Sequence, residues 1–393
     1  MTGAVRTPEV PGVDVGELLP RLDAGEGLFL LDVRNEDEFR DWRLEGWRPV
    51  DTLHVPYFAF IEDPEAALAK VPRNREVIVV CAQGGSSAMV VEMLREAGIA
   101  ARNVTGGMVA YGEYLQPARV PLPIADAERF EVWQLNRRGK GCLSYLVRSR
   151  DEAVVVDPSR DVERYQALAA RLGVRITAVL DTHIQADHVS GSPALSARVG
   201  APYSVSAGPG FELRHAVEPL RDGGEFRLGG RSGVTIGVRV IETPGHTPGS
   251  TSFLLDGRYL LTGDTVFVGS VGRPDLGGHV VEWGRALFRT LKRLGSLPDG
   301  TVVLPAHYAG VREIGWDGVV AGRWAELRRT VPELSIATEV AFVEAMRAVV
   351  RPPPASYADI IQINLGLADP DPEKMTEWEL GKNQCAAAGP AAH

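Results

Sequence analysis

Along the chain, short runs of aliphatic and β-branched residues alternate with Gly/Pro/Asp-rich turns and with stretches whose apolar positions recur at helical spacing. Residues 28–33 and 76–80 read as strands, the second leading through a glycine-rich turn into a helix over 88–97 that Gly98 stops. A proline-rich stretch, 117–123, breaks the pattern, because proline extends neither a helix nor a central strand and stiffens the link. Strands restart at 129–134, an alternating one carries Cys142, and others are expected at 176–180, 234–241, 259–261 and 302–304. Residues 338–350 place Val340, Val343, Met346 and Val350 at helical spacing before the stop at Pro352 to Pro354, which reads as a packing helix. Mixed strands and helices predict an α/β protein. At 393 residues the chain exceeds the usual size of one core, so two domains are expected, divided at the prolines.

The C-terminal ends of the later strands carry candidate chemistry. Runs 176–180, 234–241, 259–261 and 302–304 are followed by Thr182-His-Ile-Gln-Ala-Asp-His188, Thr243-Pro-Gly-His246, Thr262-Gly-Asp264 and Leu304-Pro-Ala-His307. Imidazoles and carboxylates that converge from separate strand ends are what a divalent metal needs, so the chain reads first as a metalloenzyme.

The order of these segments, and the glycines beside them, resemble the metallo-β-lactamase superfamily over about residues 127–352, which implies an αββα sandwich with metal ligands at one edge. Hydrolases of that superfamily open with His-x-His-x-Asp-His and feed two metal ions, whereas Gln185 here replaces the second His. An amide is a poor zinc ligand. What remains, His183, His246 and Asp264, is the two-histidine, one-carboxylate set of non-haem Fe(II) oxygenases. The match narrows to the persulfide (sulfur) dioxygenases, the ethylmalonic encephalopathy protein family. That resemblance implies one Fe(II) held by His183, His246 and Asp264, with Asp187, His188 and His307 orienting ligands or water. It implies oxidation of a low-molecular-weight thiol persulfide of glutathione type by O2 to sulfite and thiol. The Gly272-Arg-Pro-Asp275 element is similar to one in that family and makes Arg273 a candidate for an anionic part of the substrate, with a structural salt bridge to Asp275 as the alternative. Tyr308 is a second substrate-side candidate, although Pro305-Ala-His-Tyr308 lacks the Asp that the family carries before its Tyr. The rival reading is a glyoxalase II-like thioester hydrolase with two zinc ions, which would need Gln185 or water in place of a ligand.

The N-terminal third has its own chemistry. Cys81 stands between the run 76–80 and a helix, in Cys81-Ala-Gln-Gly-Gly-Ser-Ser87, where a turn of backbone N–H groups favours thiolate and added anionic sulfur. Together with Asp32-Val-Arg34, His54-Val-Pro56 and Gly106-Gly-Met-Val-Ala-Tyr111, this resembles single-domain rhodaneses over about residues 8–118. The resemblance implies a small parallel α/β domain with Cys81 as persulfide-forming nucleophile, and with Gln83, Gly84, Gly85, Ser86 and Ser87 as its loop. Ala82 and Ser86 stand where thiosulfate-specific rhodaneses carry cations, which argues against tight thiosulfate binding. The expected division is then 8–118 rhodanese-like, 119–126 linker, 127–352 metal domain and 353–393 a C-terminal segment packing on that domain. Sulfite and thiosulfate are the further partners implied. Such a fusion would sit in sulfide and sulfane-sulfur metabolism.

Composition is ordinary for a globular protein, 45% hydrophobic and 24% charged. A net charge of −9 offers no basic stripe for nucleic acid. The first residues lack a basic-then-apolar signal region and no apolar stretch is long enough for a bilayer, so a cytoplasmic protein without membrane contact is expected, compatible with a homodimer. The three cysteines fit neither a disulfide framework nor a Cys-x-x-Cys zinc site. Cys142 reads as a small buried hydrophobe, and Cys385, in the terminal stretch 377–393, as part of a fraying end, with a sulfur relay near an active site as the alternative.

Overall fold

The computed structural model describes residues 10–229 and 235–386. The start of the chain, and the Ala-rich end that sequence reads as disordered, lie outside these residues apart from Ala386. The chain divides into two compact units: Met1–Tyr114 with Arg138–Lys140 and Leu380–Lys382, and Leu115–Arg137 with Gly141–Glu379 and Asn383–His393.

The first unit is built on a five-stranded sheet in the order Gly12–Val13, Ala101–Val104, Val77–Val80, Phe29–Asp32, Asp51–His54, with every pairing parallel. A parallel sheet is covered on both faces, so its strands are continuous apolar runs rather than alternating ones. Leu30, Ile78 and Val80 accordingly pack with Leu18, Leu19 and Met108 on one face, while Leu31, Val77 and Val79 pack with Phe60, Val90 and Leu94 on the other. Val77–Val80, the Val-Ile-Val-Val segment, is buried at every position and delivers Cys81 at its C-terminal end.

The second unit contains two six-stranded sheets. One runs Tyr203–Ser204, Arg175–Leu180, Glu152–Val156, Cys142–Ser149, Glu131–Arg137, Gln116–Arg119, and the other Glu225–Leu228, Ile236–Glu242, Thr251–Leu255, Tyr259–Gly263, Val302–Pro305, Gly322–Arg323. Their inner faces share one core, with Val132, Tyr145, Val154 and Leu180 from the first sheet against Val238, Phe253, Leu261 and Leu304 from the second. Helices Val162–Leu172 and Ser192–Val199 close the outer face of the first sheet through Tyr165, Leu168 and Leu195. Helices Val280–Leu294, Trp324–Thr330 and Glu339–Ala348 close the second through Leu287, Leu291, Trp324 and Phe342. The result is a layered αββα sandwich.

The proline stretch departs from the expected linker over 119–126. Gln116–Arg119 pairs antiparallel with Glu131–Arg137, Pro117 opposite Leu135, and Ile124–Ala127 is a helical turn. The strand lies at the sheet's edge, where a proline's missing N–H leaves no ladder bond unmade.

Candidate functional site

Each metal-directed residue follows a strand end of the sandwich. Arg175–Leu180 of one sheet leads into His183, while Ile236–Glu242, Tyr259–Gly263 and Val302–Pro305 of the other lead into His246, Asp264 and His307. Close backbone approach at this edge requires glycine. Gly263 has φ +53° and a Cβ there would lie 2.5 Å from Thr182 Oγ1, while one on Gly272 would lie 1.8 Å from the Asp264 carbonyl oxygen.

His183, His246 and Asp264 are brought together with about 1% exposure each. Asp264 Oδ2 lies 3.7 Å from His183 Nε2 and 3.5 Å from His246 Nε2. Donors bonded at ~2.1 Å to one metal ion sit ~3.0–3.4 Å apart, so a contraction of a few tenths of an ångström would bring Asp264 to that separation from each imidazole. The other ring nitrogens are tied down. His183 Nδ1 is 2.9 Å from Thr182 Oγ1, whose hydroxyl donates to Asp157, and His246 Nδ1 donates to the Arg273 carbonyl at 2.9 Å. Both Nε2 lone pairs are thereby turned toward Asp264. His183 Nε2 and Asp264 Oδ2 are buried without a hydrogen-bond partner. Two orphaned polar atoms aimed at one point are costly unless a cation joins them, so these residues fit a bound metal. Burial pushes His183 down to about 3 against the pull of Asp264, and lowers His246 in the same way, which leaves both imidazoles neutral as ligands must be. Burial would raise the Asp264 carboxyl, but His307 and then the triad histidines hold it well below the usual range.

Asp187, His188 and His307 form a second cluster that is bonded within itself. His307 Nδ1 donates to Asp264 Oδ1 at 2.6 Å, so the carboxylate is steered by one oxygen and offers the other to the triad. His307 Nε2 lies 3.1 Å from Asp187 Oδ2, and His188 Nδ1 donates to Asp187 Oδ1 at 2.9 Å. Burial opposes charge on both rings, yet the Asp187 carboxylate raises His188 to about 10, and Asp187 with Asp264 keeps His307 protonated. Gln185 is 1% exposed and turns its Nε2 toward Asp157 Oδ1 at 3.2 Å, and its Oε1 has no hydrogen-bond partner.

Several side chains depart from their expected places. Arg273 is 2% exposed and donates from Nε and Nη2 to the two carboxylate oxygens of Asp275, at 2.8 and 2.6 Å, and to the carbonyls of Gln384 and Arg351. Its guanidinium braces the C-terminal segment instead of offering itself to a substrate anion. Tyr308 is 3% exposed in the sandwich core and donates to Asn136 Oδ1 at 2.8 Å, so it too is turned from any substrate. Cys142 is buried as expected, but its thiol donates to Asp187 Oδ2 at 3.2 Å and accepts from His307 Nε2 at 3.2 Å. Cys385, expected in a fraying end, is 1% exposed, and its sulfur lies within 4.8 Å of ligand atoms of Asp264 and His307.

Two further residues, absent from the sequence reading as site residues, hold the loop after His183. Asn364, at the end of helix Ser356–Asn364, donates to the carbonyls of Gln185 and His188 at 2.9 and 2.8 Å and accepts from Ser190 N at 2.9 Å. Glu379 accepts from Val189 N at 2.7 Å and pairs with Arg137 at 2.7 Å; burial works to raise its carboxyl, but Arg137 and Arg160 hold it low. A buried polar residue in the last fifth of a chain, such as Asn364 between Ile363 and Leu365, is the signal that could have pointed to this clasp.

In the first unit, Cys81 is 6% exposed and receives hydrogen bonds at 3.0 Å from both Gly84 N and Ser87 Oγ. Gly84 has φ +98° and opens the helix Gly85–Glu96, so its amide faces the sulfur. Gln83, Gly85 and Ser86 complete the turn, and the sulfur's hydrogen bonds come from Gly84 and Ser87. The loop is pinned from behind, because Met108 N donates to Cys81 O at 2.9 Å and Val109 N to Ala82 O at 3.0 Å. Beside it, a cleft of about 230 Å³ is lined by Arg34, Trp42, Ala82 and Met108, with Arg34 held at 2.7 Å by Asp32.

Among the described residues no helix is long and apolar enough to cross a membrane. Residues 137–307 match the model of the Metallo-beta-lactamase superfamily, and residues 14–114 that of the Rhodanese-like domain. A hydroxyacylglutathione hydrolase of Anaeromyxobacter dehalogenans is 31% identical over 264 residues, 66% of this chain and 94% of the relative. The mitochondrial persulfide dioxygenase ETHE1 of Bos taurus is 28% identical over 58% of this chain and 84% of its own length. The crystal structure of ETHE1 from Myxococcus xanthus matches 60% of this chain and 98% of that one at 29% identity, with a TM-score of 0.52. The relatives of the second unit are thus metallo-beta-lactamase-fold enzymes acting on different chemistry, and the chain belongs to the metallo-beta-lactamase superfamily, with a rhodanese-like domain preceding its metal-directed domain.

Proposed function

We propose that the second unit is a persulfide dioxygenase that converts a glutathione-type persulfide, O2 and one water to sulfite and thiol, with one Fe(II) held by His183, His246 and Asp264. The observation that carries this reading is the division of labour at the sandwich edge. His183 Nε2 and Asp264 Oδ2 are orphaned and converge with His246 Nε2, while Asp187, His188, His307 and Cys142 bond one another. A three-donor set leaves metal positions open for two small molecules at once. When bound, the ferrous ion would supply the binding face and the one-electron chemistry by which O2 meets a sulfane sulfur, which is itself the net electron donor. The protein's own contribution is placement and protection. Thr182 and the Arg273 carbonyl fix the imidazole orientations, His307 holds one oxygen of Asp264 so that the other is free, and near-complete burial keeps bulk water from the sulfur.

In the first unit, the reading is sulfur transfer through Cys81. The Gly84 amide and Ser87 hydroxyl stabilise its thiolate and then the charge of an added sulfur. One chain would then hold a maker and a consumer of sulfane sulfur, in sulfide metabolism of the cytoplasm. The hydroxyacylglutathione hydrolase relative supports a second reading, thioester hydrolysis with two zinc ions. Metal analysis with two assays separates them: about one iron per chain and oxygen uptake on glutathione persulfide are expected, whereas two zinc ions and thioester cleavage without oxygen uptake would overturn the dioxygenase reading.

A further inference from the structure

Residues 383–386 run beside the triad and are fastened through their backbone. Arg273 N donates to the Cys385 carbonyl at 3.2 Å, Gly272 and Ala386 form an antiparallel bridge, and Gln384 N donates to the Tyr357 hydroxyl at 2.9 Å. This lays the Cys385 side chain against Ala186 and Tyr357, and its sulfur within 4.8 Å of ligand atoms of Asp264 and His307. Cys385 is a free thiol. A separate observation marks the space it borders as a ligand site: Asp264 Oδ2 and His183 Nε2, both buried, have no hydrogen-bond partner. One added sulfur lengthens the side chain by an S–S bond of ~2 Å, a large part of the separation between the Cys385 sulfur and the ligand atoms of Asp264 and His307.

We propose that Cys385 is a persulfide carrier at this centre, so that the sulfur oxidised there is the outer sulfur of the chain's own Cys385 persulfide, loaded from a small-molecule persulfide. The proposal rests on the dioxygenase reading above for its second half only. In the loading step the Cys385 sulfur attacks the outer sulfur of R–S–SH. The new S–S bond forms as the old one breaks, the departing electron pair goes to the thiol R–S, and that thiol takes up the proton Cys385 gives up. Nothing is oxidised or reduced overall. In the second step the outer sulfur gives four electrons to one O2, water supplies the third oxygen, and sulfite, two protons and the Cys385 thiol are released. With Cys385 1% exposed, loading requires residues 383–386 to lift, and what holds them is a handful of hydrogen bonds rather than a strand ladder.

The test is made on the full chain under anaerobic conditions with glutathione persulfide, followed by alkylation, trypsin digestion and mass spectrometry of the peptide that begins at Asn383. A gain of about 32 Da at Cys385, the mass of one sulfur, is expected. The gain should disappear, with sulfite released, when air is admitted to iron-loaded protein. Cys385→Ser should lower oxygen uptake on glutathione persulfide at least ~10-fold, because the positioned sulfur is lost. An unmodified Cys385 peptide, or a Cys385→Ser enzyme consuming oxygen at the wild-type rate, overturns the proposal. A wild type that loads Cys385 but takes up no oxygen instead refutes the dioxygenase reading and leaves the carrier role standing.

Discussion

Replacing Asn364 by alanine removes three hydrogen bonds from one short loop. The side chain is 4% exposed and serves the Gln185 and His188 carbonyls and the Ser190 amide, at 2.9, 2.8 and 2.9 Å. At ~1 kcal/mol net for each bond, the loop loses ~3 kcal/mol of restraint, or ~100-fold in its opening equilibrium. A two-unit chain does not unfold in one transition, so the effect is best read locally, by amide hydrogen exchange of peptides covering residues 183–190. Protection there is expected to fall by ~30- to 300-fold, with metal released to a chelator correspondingly faster. Asn364→Asp keeps the acceptor but sets a carboxylate against two carbonyls, and should be no milder. A loss of protection below ~5-fold, or one equal to that in the Val77–Val80 strand of the other unit, would refute the argument that Asn364 clasps the loop.

Other outcomes follow from the same geometry. His246→Ala should cut bound metal from about one per chain to below ~0.1 by elemental analysis, since two donors hold a divalent ion poorly. Because His183 is neutral down to about pH 3, protons should not compete with metal at that ligand as pH falls from 7.5 to 6, and His246, lowered in the same direction, should bind fewer protons than a free imidazole. Two imidazoles titrating at ~6.5 would release ~1.5 protons on metal binding at pH 6, whereas calorimetry in buffers of different ionisation enthalpy should find a release below ~0.8 from these ligands. Ser87→Ala removes one hydrogen bond to the Cys81 sulfur and should slow cyanide-dependent sulfur transfer ~5-fold, the equivalent of ~1 kcal/mol. Gly107→Ala, with φ +59° and a Cβ 2.3 Å from the Cys81 carbonyl oxygen, should displace the loop and lower that rate at least ~10-fold, with oxygen uptake unaffected.

The sequence made the framework readable where one local rule sufficed. Val77–Val80 is apolar throughout because a parallel strand is covered on both sides, and the turn after it identified Cys81. His183, His246, Asp264 and His307 each follow an apolar run and precede a turn, so strand-end geometry pointed to them before any fold was known. Contacts between distant segments were hidden. The apolar neighbours of Asn364 mark a polar residue at a core position, but do not say that it bonds residues 179 and 176 positions earlier. Cys142 lies in a strand that reads as core, and only folding brings it opposite Asp187 and His307. Arg273 shows how an element legible in sequence can mislead about direction: the side chain faces Asp275 two residues on, which sequence spacing permitted but could not select. Pro117 argued for a break, and the sheet edge gave it a place.

The clasp at Asn364 and Glu379 also sets an order of events during synthesis. All three residues of the triad precede Asn364 by a hundred residues or more, and the sandwich core that positions them ends at Val320, more than forty residues before it. A nascent chain therefore lacks the bonds that fasten the loop after His183 until Asn364 and Glu379 have emerged, and its metal-directed groups stay open to solvent until that segment docks.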